Sequence, residues 1–155
     1  MANRDIVAVG TSAGGVEAIL FLAKRFAPDL PATVLITVHL ATEARLFLDQ
    51  LLSRAGPLPA AFASGGETLR AGHILIAPAG RHLLVDGNRT VLGFRPRENN
   101  ARPAIDPMLR SAAVCCGPRS IGVVLTGTLG DGGSGLRAIT QGGGISVVPR
   151  CRPWR

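Results

Sequence analysis

Apolar residues arrive along this chain in short continuous runs, separated by stretches in which they recur every three or four positions. Ile6-Val-Ala-Val9 runs into Gly10-Thr-Ser-Ala-Gly-Gly15 and then a helical spacing, and Thr33-Val-Leu-Ile-Thr-Val38 and Ile121-Gly-Val-Val-Leu-Thr126 each precede another. Short apolar runs bounded by turn residues read as buried strands, and the 3.6-residue period reads as helix. The pattern predicts strands over 5–10, 33–38, 60–63, 73–77, 120–126 and 144–148, with helices over about 14–26, 43–54, 106–116 and 133–141. A hairpin is predicted over 82–94, because Asp86-Gly87-Asn88 separates His82-Leu-Leu-Val85 from Thr90-Val-Leu-Gly-Phe94 and such residues reach positive φ cheaply. The alternation implies an α/β fold: a doubly wound, mostly parallel sheet with an antiparallel hairpin near its edge. The loop signals at 55–59, 64–66 and 142–144 are too short for an interdomain linker, and no internal repeat is visible, so one core is expected.

Three polar residues stand just beyond predicted strand ends: Ser12, His39 and Asp131. Parallel strands gather their C-terminal ends at one edge, where open α/β sheets bind ligands. Ser12 lies in Gly10-Thr-Ser12-Ala-Gly14, a Gly-x-Ser-x-Gly turn that bends sharply enough to push the hydroxyl outward and aim the following amide at a reacting carbonyl. Serine, histidine and aspartate supply a nucleophile, a general base and a carboxylate to orient the base, and geometry rather than chain order defines such a triad. The same turn also suits phosphate, which would meet the free N–H groups of a helix start. Its dinucleotide version fits poorly, since Gly10-x-Ser12-x-x-Gly15 lacks the middle glycine and His39 stands where an acidic ribose ligand is expected.

With 155 residues, 46% of them hydrophobic, and a mean hydropathy of +0.30, the chain is long and apolar enough for a packed globule. No apolar stretch reaches transmembrane length, and residues 1–5 lack a secretory signal, so membrane insertion is not expected and the cytoplasm is the default location. Cys115, Cys116 and Cys151 form an odd set with an adjacent pair, which favours reduced thiols. His39, His73 and His82 show no zinc-type spacing with them, so no metal site is expected. The net charge is +7 and the isoelectric point 11.2, but the arginines are dispersed, there is no tyrosine and only one tryptophan. That pattern argues against nucleic acid and for solubility plus an acidic partner. Arg150, Arg152 and Arg155 crowd the last residues, leaving the rest only mildly basic.

Several further motifs follow in order: Ile6-Val-Ala-Val-Gly-Thr-Ser-Ala-Gly-Gly-Val-Glu-Ala18, Val38-His-Leu40, Gly72-His-Ile-Leu-Ile-Ala-Pro78 with Arg81-His-Leu83, Glu98-Asn-Asn-Ala-Arg-Pro-Ala-Ile-Asp106 with Arg110-Ser-Ala-Ala113, and Gly122-Val-Val-Leu-Thr-Gly-Thr-Leu-Gly-Asp-Gly-Gly-Ser-Gly-Leu136. Together they resemble the catalytic domain of the chemotaxis protein-glutamate methylesterases, the CheB family, from about Asp5 to Val148, which implies such a domain over residues 1–148. The resemblance implies a cofactor-free serine esterase that hydrolyses glutamate methyl esters, and deamidates glutamines, on the cytoplasmic helices of chemoreceptors. It implies Ser12 as nucleophile, His39 as base, Asp131 as its partner, and the amide of Thr128 as an oxyanion donor beside that of Ala13. Arg97 and Arg102, in the basic segment 95–102, would steer acidic receptor helices. Asp106-Pro107 reads as a helix N-cap followed by the first helical position. Since Met1 lies just ahead of the first strand, control by a fused receiver domain is not expected, leaving a separate response regulator or a methyltransferase as partner. The ending Pro149-Arg-Cys-Arg-Pro-Trp-Arg155 lacks the family's Asp-Pro and Met-Pro motifs and closing helix. It is expected to be an atypical basic tail on a shortened domain, exposing apolar surface near Ile145 and Val147. The competing class is an inactive receptor-binding or scaffold protein, with a phosphate-binding module third.

Overall fold

The structure, a computed structural model, describes residues 3–39, 47–126 and 130–149. Its centre is β1 (Ile6–Ser12) beside β2 (Thr33–His39). With β3 (Ala60–Phe62), β4 (Ile74–Ile76), β7 (Ser120–Val124) and β8 (Ile145–Val147) they form a six-stranded sheet in the order β3-β4-β2-β1-β7-β8, every pairing parallel. Apolar side chains alternate between its faces. Val9, Val34, Ile36, Ile74 and Ile76 meet Ile19 and Ala23 of α1 (Val16–Arg25) and Leu48 and Leu52 of α2 (Leu48–Ala55). Ala8, Leu35 and Leu75 join the cluster built by α3 (Ile105–Cys116) and Ile139 of α4 (Gly133–Gln141). A sheet covered on both faces needs apolar residues at successive positions, and that is why β2 reads as an unbroken run. Burial of Ile105, Met108, Leu109, Ala112, Ala113 and Cys116 gives α3 its broad apolar stripe. It lies so close to β1 that a Cβ on Gly10 would overlap the Ile105 side chain.

The strands agree with the sequence pattern to within a few residues. The first helix opens with a single 3₁₀ turn, Ala13–Gly15, and the start of the helix expected at 43–54 falls partly on residues 40–46, outside the described residues. The hairpin of β5 (His82–Asp86) and β6 (Arg89–Gly93) is antiparallel as expected. It forms a two-stranded sheet of its own instead of extending an edge, because Leu83 and Val85 bury against α3. The N-cap expected at Asp106 is corrected: α3 begins at Ile105 with Ala104 as cap, so Asp106 lies inside the first turn, where Pro107 is also tolerated. Asp106 caps a different helix, described below.

At the sheet's far edge β8 is exposed at all three residues; Ile145 and Val147 are each 42% exposed and Val148 61%. The apolar surface expected there is present. Cys115 and Cys116 are free thiols, and burial pushes the Cys116 thiol up. Cys151 lies outside the described residues. Among the described residues no helix is long and apolar enough to cross a membrane.

Candidate active site

The chain leaves β1, builds the sheet on one side through β2 and β4, and returns to pair β7 on the other side of β1. Strand order therefore reverses at β1, and the crevice above its C-terminal end is where an open α/β sheet places a ligand. Ser12 ends β1 and His39 ends β2, and the two are direct partners in the parallel register. Asp131 stands seven positions beyond the end of β7 in the chain and is 2% exposed. Its Oδ2 lies 2.7 Å from His39 Nε2, so residues 92 positions apart in the chain meet in one contact. Oδ2 sits off the axis of the ring N–H, so the close contact falls short of a linear hydrogen bond. The carboxylate thus meets Nε2, the reverse of the arrangement in which Nδ1 faces it, and among the described residues no hydrogen bond occupies Nδ1.

Asp131 is held on several sides. Ile105 N–H donates to Oδ2 at 2.8 Å, Asp106 N–H to Oδ1 at 3.0 Å, and Asn99 Nδ2 to Oδ1 at 2.9 Å. The first two donors open α3, so Asp131 caps that helix from another part of the chain and lies at its positive end. Asp106 returns the arrangement: its Oδ1 accepts the N–H groups of Gly132 at 3.0 Å and Gly135 at 2.6 Å, capping α4. Asn99 Nδ2 also donates to Asp106 Oδ2 at 2.8 Å, so one amide bridges the two carboxylates. Burial alone would push the Asp131 carboxyl up; the His39 ring, the two α3 amides and Asn99 outweigh it and hold the carboxyl below its ordinary value.

The Ser12 hydroxyl has a different neighbour. Its Oγ lies 2.6 Å from Thr126 Oγ1, just past β7, and among the described residues no hydrogen bond joins it to His39. The loop of 95–102 turns sharply at Asn99 and Asn100, with φ of 52° and 62°, between reciprocal backbone bonds of Glu98 and Ala101. Glu98 pairs with Arg110 of α3 through both guanidinium nitrogens, which holds the Glu98 carboxyl below its ordinary value. Arg97 and Arg102 are exposed on this loop, without an ion pair among the described residues. The Ala13 amide opens the 3₁₀ turn directly after Ser12, whereas Thr128 lies outside the described residues. His82 is a core residue: its Nδ1 accepts from Ala104 N–H, so its Nε2 donates to the Pro96 carbonyl. His73 Nδ1 lies 3.1 Å from the Ala71 carbonyl oxygen. Among the described residues no three His, Cys, Asp or Glu side chains gather to hold a metal.

The family model for CheB methylesterase matches residues 7–151. This chain belongs to the CheB methylesterase family. A protein-glutamate methylesterase/protein-glutamine glutaminase of Anaeromyxobacter dehalogenans is 41% identical over 149 residues, covering 93% of this chain and 41% of the relative. One from Rhodospirillum rubrum is 36% identical over 152 residues, covering 93% of this chain and 39% of the relative. This CheB chain thus spans well under half the length of these curated relatives. The crystal structure of the Thermotoga maritima CheB methylesterase catalytic domain superposes with a TM-score of 0.86 at 27% identity, covering 94% of this chain and 79% of that one.

Sequence reasoning left out Asn99 and Thr126 and gave Asp106 a different role. Paired asparagines at 99 and 100 are a signal for positive φ, which marks a tight turn but not what its side chain reaches. Thr126 offered no signal beyond standing at a strand end.

Proposed function

We propose that this CheB chain is a serine esterase that hydrolyses glutamate methyl esters, and deamidates glutamines, on chemoreceptors during chemotactic adaptation. The observation that carries this reading is the register of Ser12 with His39 together with the 2.7 Å contact of His39 Nε2 with buried Asp131. His39 Nδ1 takes the Ser12 proton while Ser12 Oγ bonds to the ester carbonyl carbon, and the carbonyl electron pair moves onto its oxygen. The Ala13 amide receives that charge, with the Thr128 amide as second donor by family resemblance. The imidazolium, steadied by Asp131, returns its proton to the departing methoxide, and methanol leaves. Water then attacks the acyl-enzyme with His39 as base, releasing a glutamate and restoring Ser12. With a glutamine the leaving group is ammonia and the product is the same.

Arg97 and Arg102 stand exposed on the loop that also carries Asn99, so they suit electrostatic steering of acidic receptor helices in the cytoplasm. A separate response regulator or a methyltransferase completes the expected partners. The test is methanol release from methylated receptor by purified chain. The wild-type chain should release methanol and Ser12→Ala should not; equal release would exclude Ser12 as nucleophile, and binding without any release would favour a scaffold.

A further inference from the structure

Around the nucleophile the hydroxyl groups form a chain whose direction can be worked out. Thr126 Oγ1 lies 2.7 Å from Thr11 Oγ1 and 2.6 Å from Ser12 Oγ, and it accepts the Ser12 backbone N–H at 3.1 Å, a donor it shares with the Thr126 carbonyl oxygen at the same distance. A hydroxyl has one proton and two acceptor sites. The Ser12 N–H occupies one acceptor site of Thr126, so its two hydroxyl neighbours must share one proton and one remaining site. Thr11 is fully buried, and among the described residues Thr126 is the only partner of its hydroxyl. If Thr126 donated to Thr11, the Thr11 proton would be buried without an acceptor among the described residues, which is the costlier arrangement. Thr11 therefore donates to Thr126, and Thr126 donates to Ser12.

Resting on Ser12 as the nucleophile, we propose that Thr126 is a further catalytic residue, whose O–H donates to Ser12 Oγ and leaves the Ser12 proton free for His39. Thr126 keeps its proton throughout. In acylation the Ser12 O–H bond breaks toward His39 Nδ1 as the Oγ–carbon bond forms; in deacylation the Oγ–carbon bond breaks and the proton returns. Negative charge collects on Ser12 Oγ in both steps, and a fixed donor 2.6 Å away stabilises it without reorganising. The same contact holds the hydroxyl in one rotamer. Gly15 makes room for the chain: a Cβ there would overlap Thr11 Oγ1 and stand 3.0 Å from Thr126 Oγ1.

The test compares wild type, Thr126→Val, Thr126→Ser, Thr11→Val and Ser12→Ala for hydrolysis of a small p-nitrophenyl ester and for labelling by a fluorophosphonate, with circular dichroism to confirm folding. Thr126→Val keeps the shape and removes the hydroxyl; kcat and labelling rate should fall on the order of 10- to 100-fold with KM within about twofold. Thr126→Ser should recover to within about threefold, and Thr11→Val, which no longer fixes the direction of the chain, should lose several-fold. Wild-type labelling in folded Thr126→Val, or a Thr126→Ser variant as slow as Thr126→Val, would overturn the assignment. Should Thr126→Val not fold, wild-type rates in Thr11→Val would overturn the fixed direction on which the assignment depends. Ser12→Ala tests the underlying reading separately: if it still hydrolyses the ester as wild type does, that reading fails whatever Thr126 does.

Discussion

Ser12 and His39 are neighbours only because their strands are paired, and as the proposed nucleophile and base neither would complete its step without the other. Ser12→Ala and His39→Ala should each lower turnover by on the order of 10⁴-fold, and the double variant should be little worse, since a nucleophile and its base act as a unit. Additive losses in a kcat series would contradict a shared step. Asp131→Asn should cost on the order of 10³- to 10⁴-fold in kcat with receptor binding little changed, because in the proposed mechanism the carboxylate acts on the imidazolium of the transition state. It also has a signature in stability. The folded-state pKa of Asp131 is depressed, so the unfolded state binds its proton first as pH falls. Its stabilisation is present above the unfolded value and is lost as pH drops through the folded one. Urea denaturation should show wild type ahead of Asp131→Asn at pH 6, with the gap closing below about pH 4. A gap that is constant down to pH 2 would mean the carboxylate is not held as described.

The first turns of α3 and α4 each depend on a carboxylate carried by the other helix or its approach. Asp106 is 3% exposed and accepts two amides of the α4 start, so Asp106→Ala should destabilise the protein by about 2 kcal/mol, as a lost buried cap does. Turnover should fall as well, since Asn99 bridges Asp106 to Asp131. Unchanged melting would show that solvent can replace the cap. On the 95–102 loop, Glu98 and Asn99 tie the backbone to α3 and to both carboxylates, while Arg97 and Arg102 point to solvent. Removing both arginines should lower kcat/KM for receptor at low salt and less so at physiological salt, where screening acts over about 8 Å. Receptor should suffer more than a small ester; equal losses would assign the arginines to structure.

Among the described residues, the six-stranded sheet is closed by pairing everywhere except its two outer strands, and at β8 the open side coincides with apolar exposure. An apolar edge is a template for further strand pairing. The purified 155-residue chain should therefore bind a hydrophobic dye and self-associate in a concentration-dependent way, and Val147→Lys should reduce both without lowering esterase kcat. Sedimentation of the wild type as a dye-silent monomer at high concentration would show the edge to be protected.

The sequence by itself determined the order of elements and the three polar strand ends, because alternating runs and periods are local properties. A parallel sheet brings every strand end to one edge whatever the strand order, so Ser12, His39 and Asp131 could be grouped without coordinates. The tertiary structure decided the rest. Whether His82-to-Gly93 would extend an edge or stand alone depended on Leu83 and Val85 finding the α3 face, which no local pattern encodes. Asp106 looked like the cap of its own helix because capping preferences are local, yet the unsatisfied amides it meets belong to Gly132 and Gly135. Asn99 and Thr126 were invisible for the same reason. Their contacts, at 2.6 to 2.9 Å, cross strand and loop packing, and hydrogen bonds between residues far apart in sequence leave no period to read.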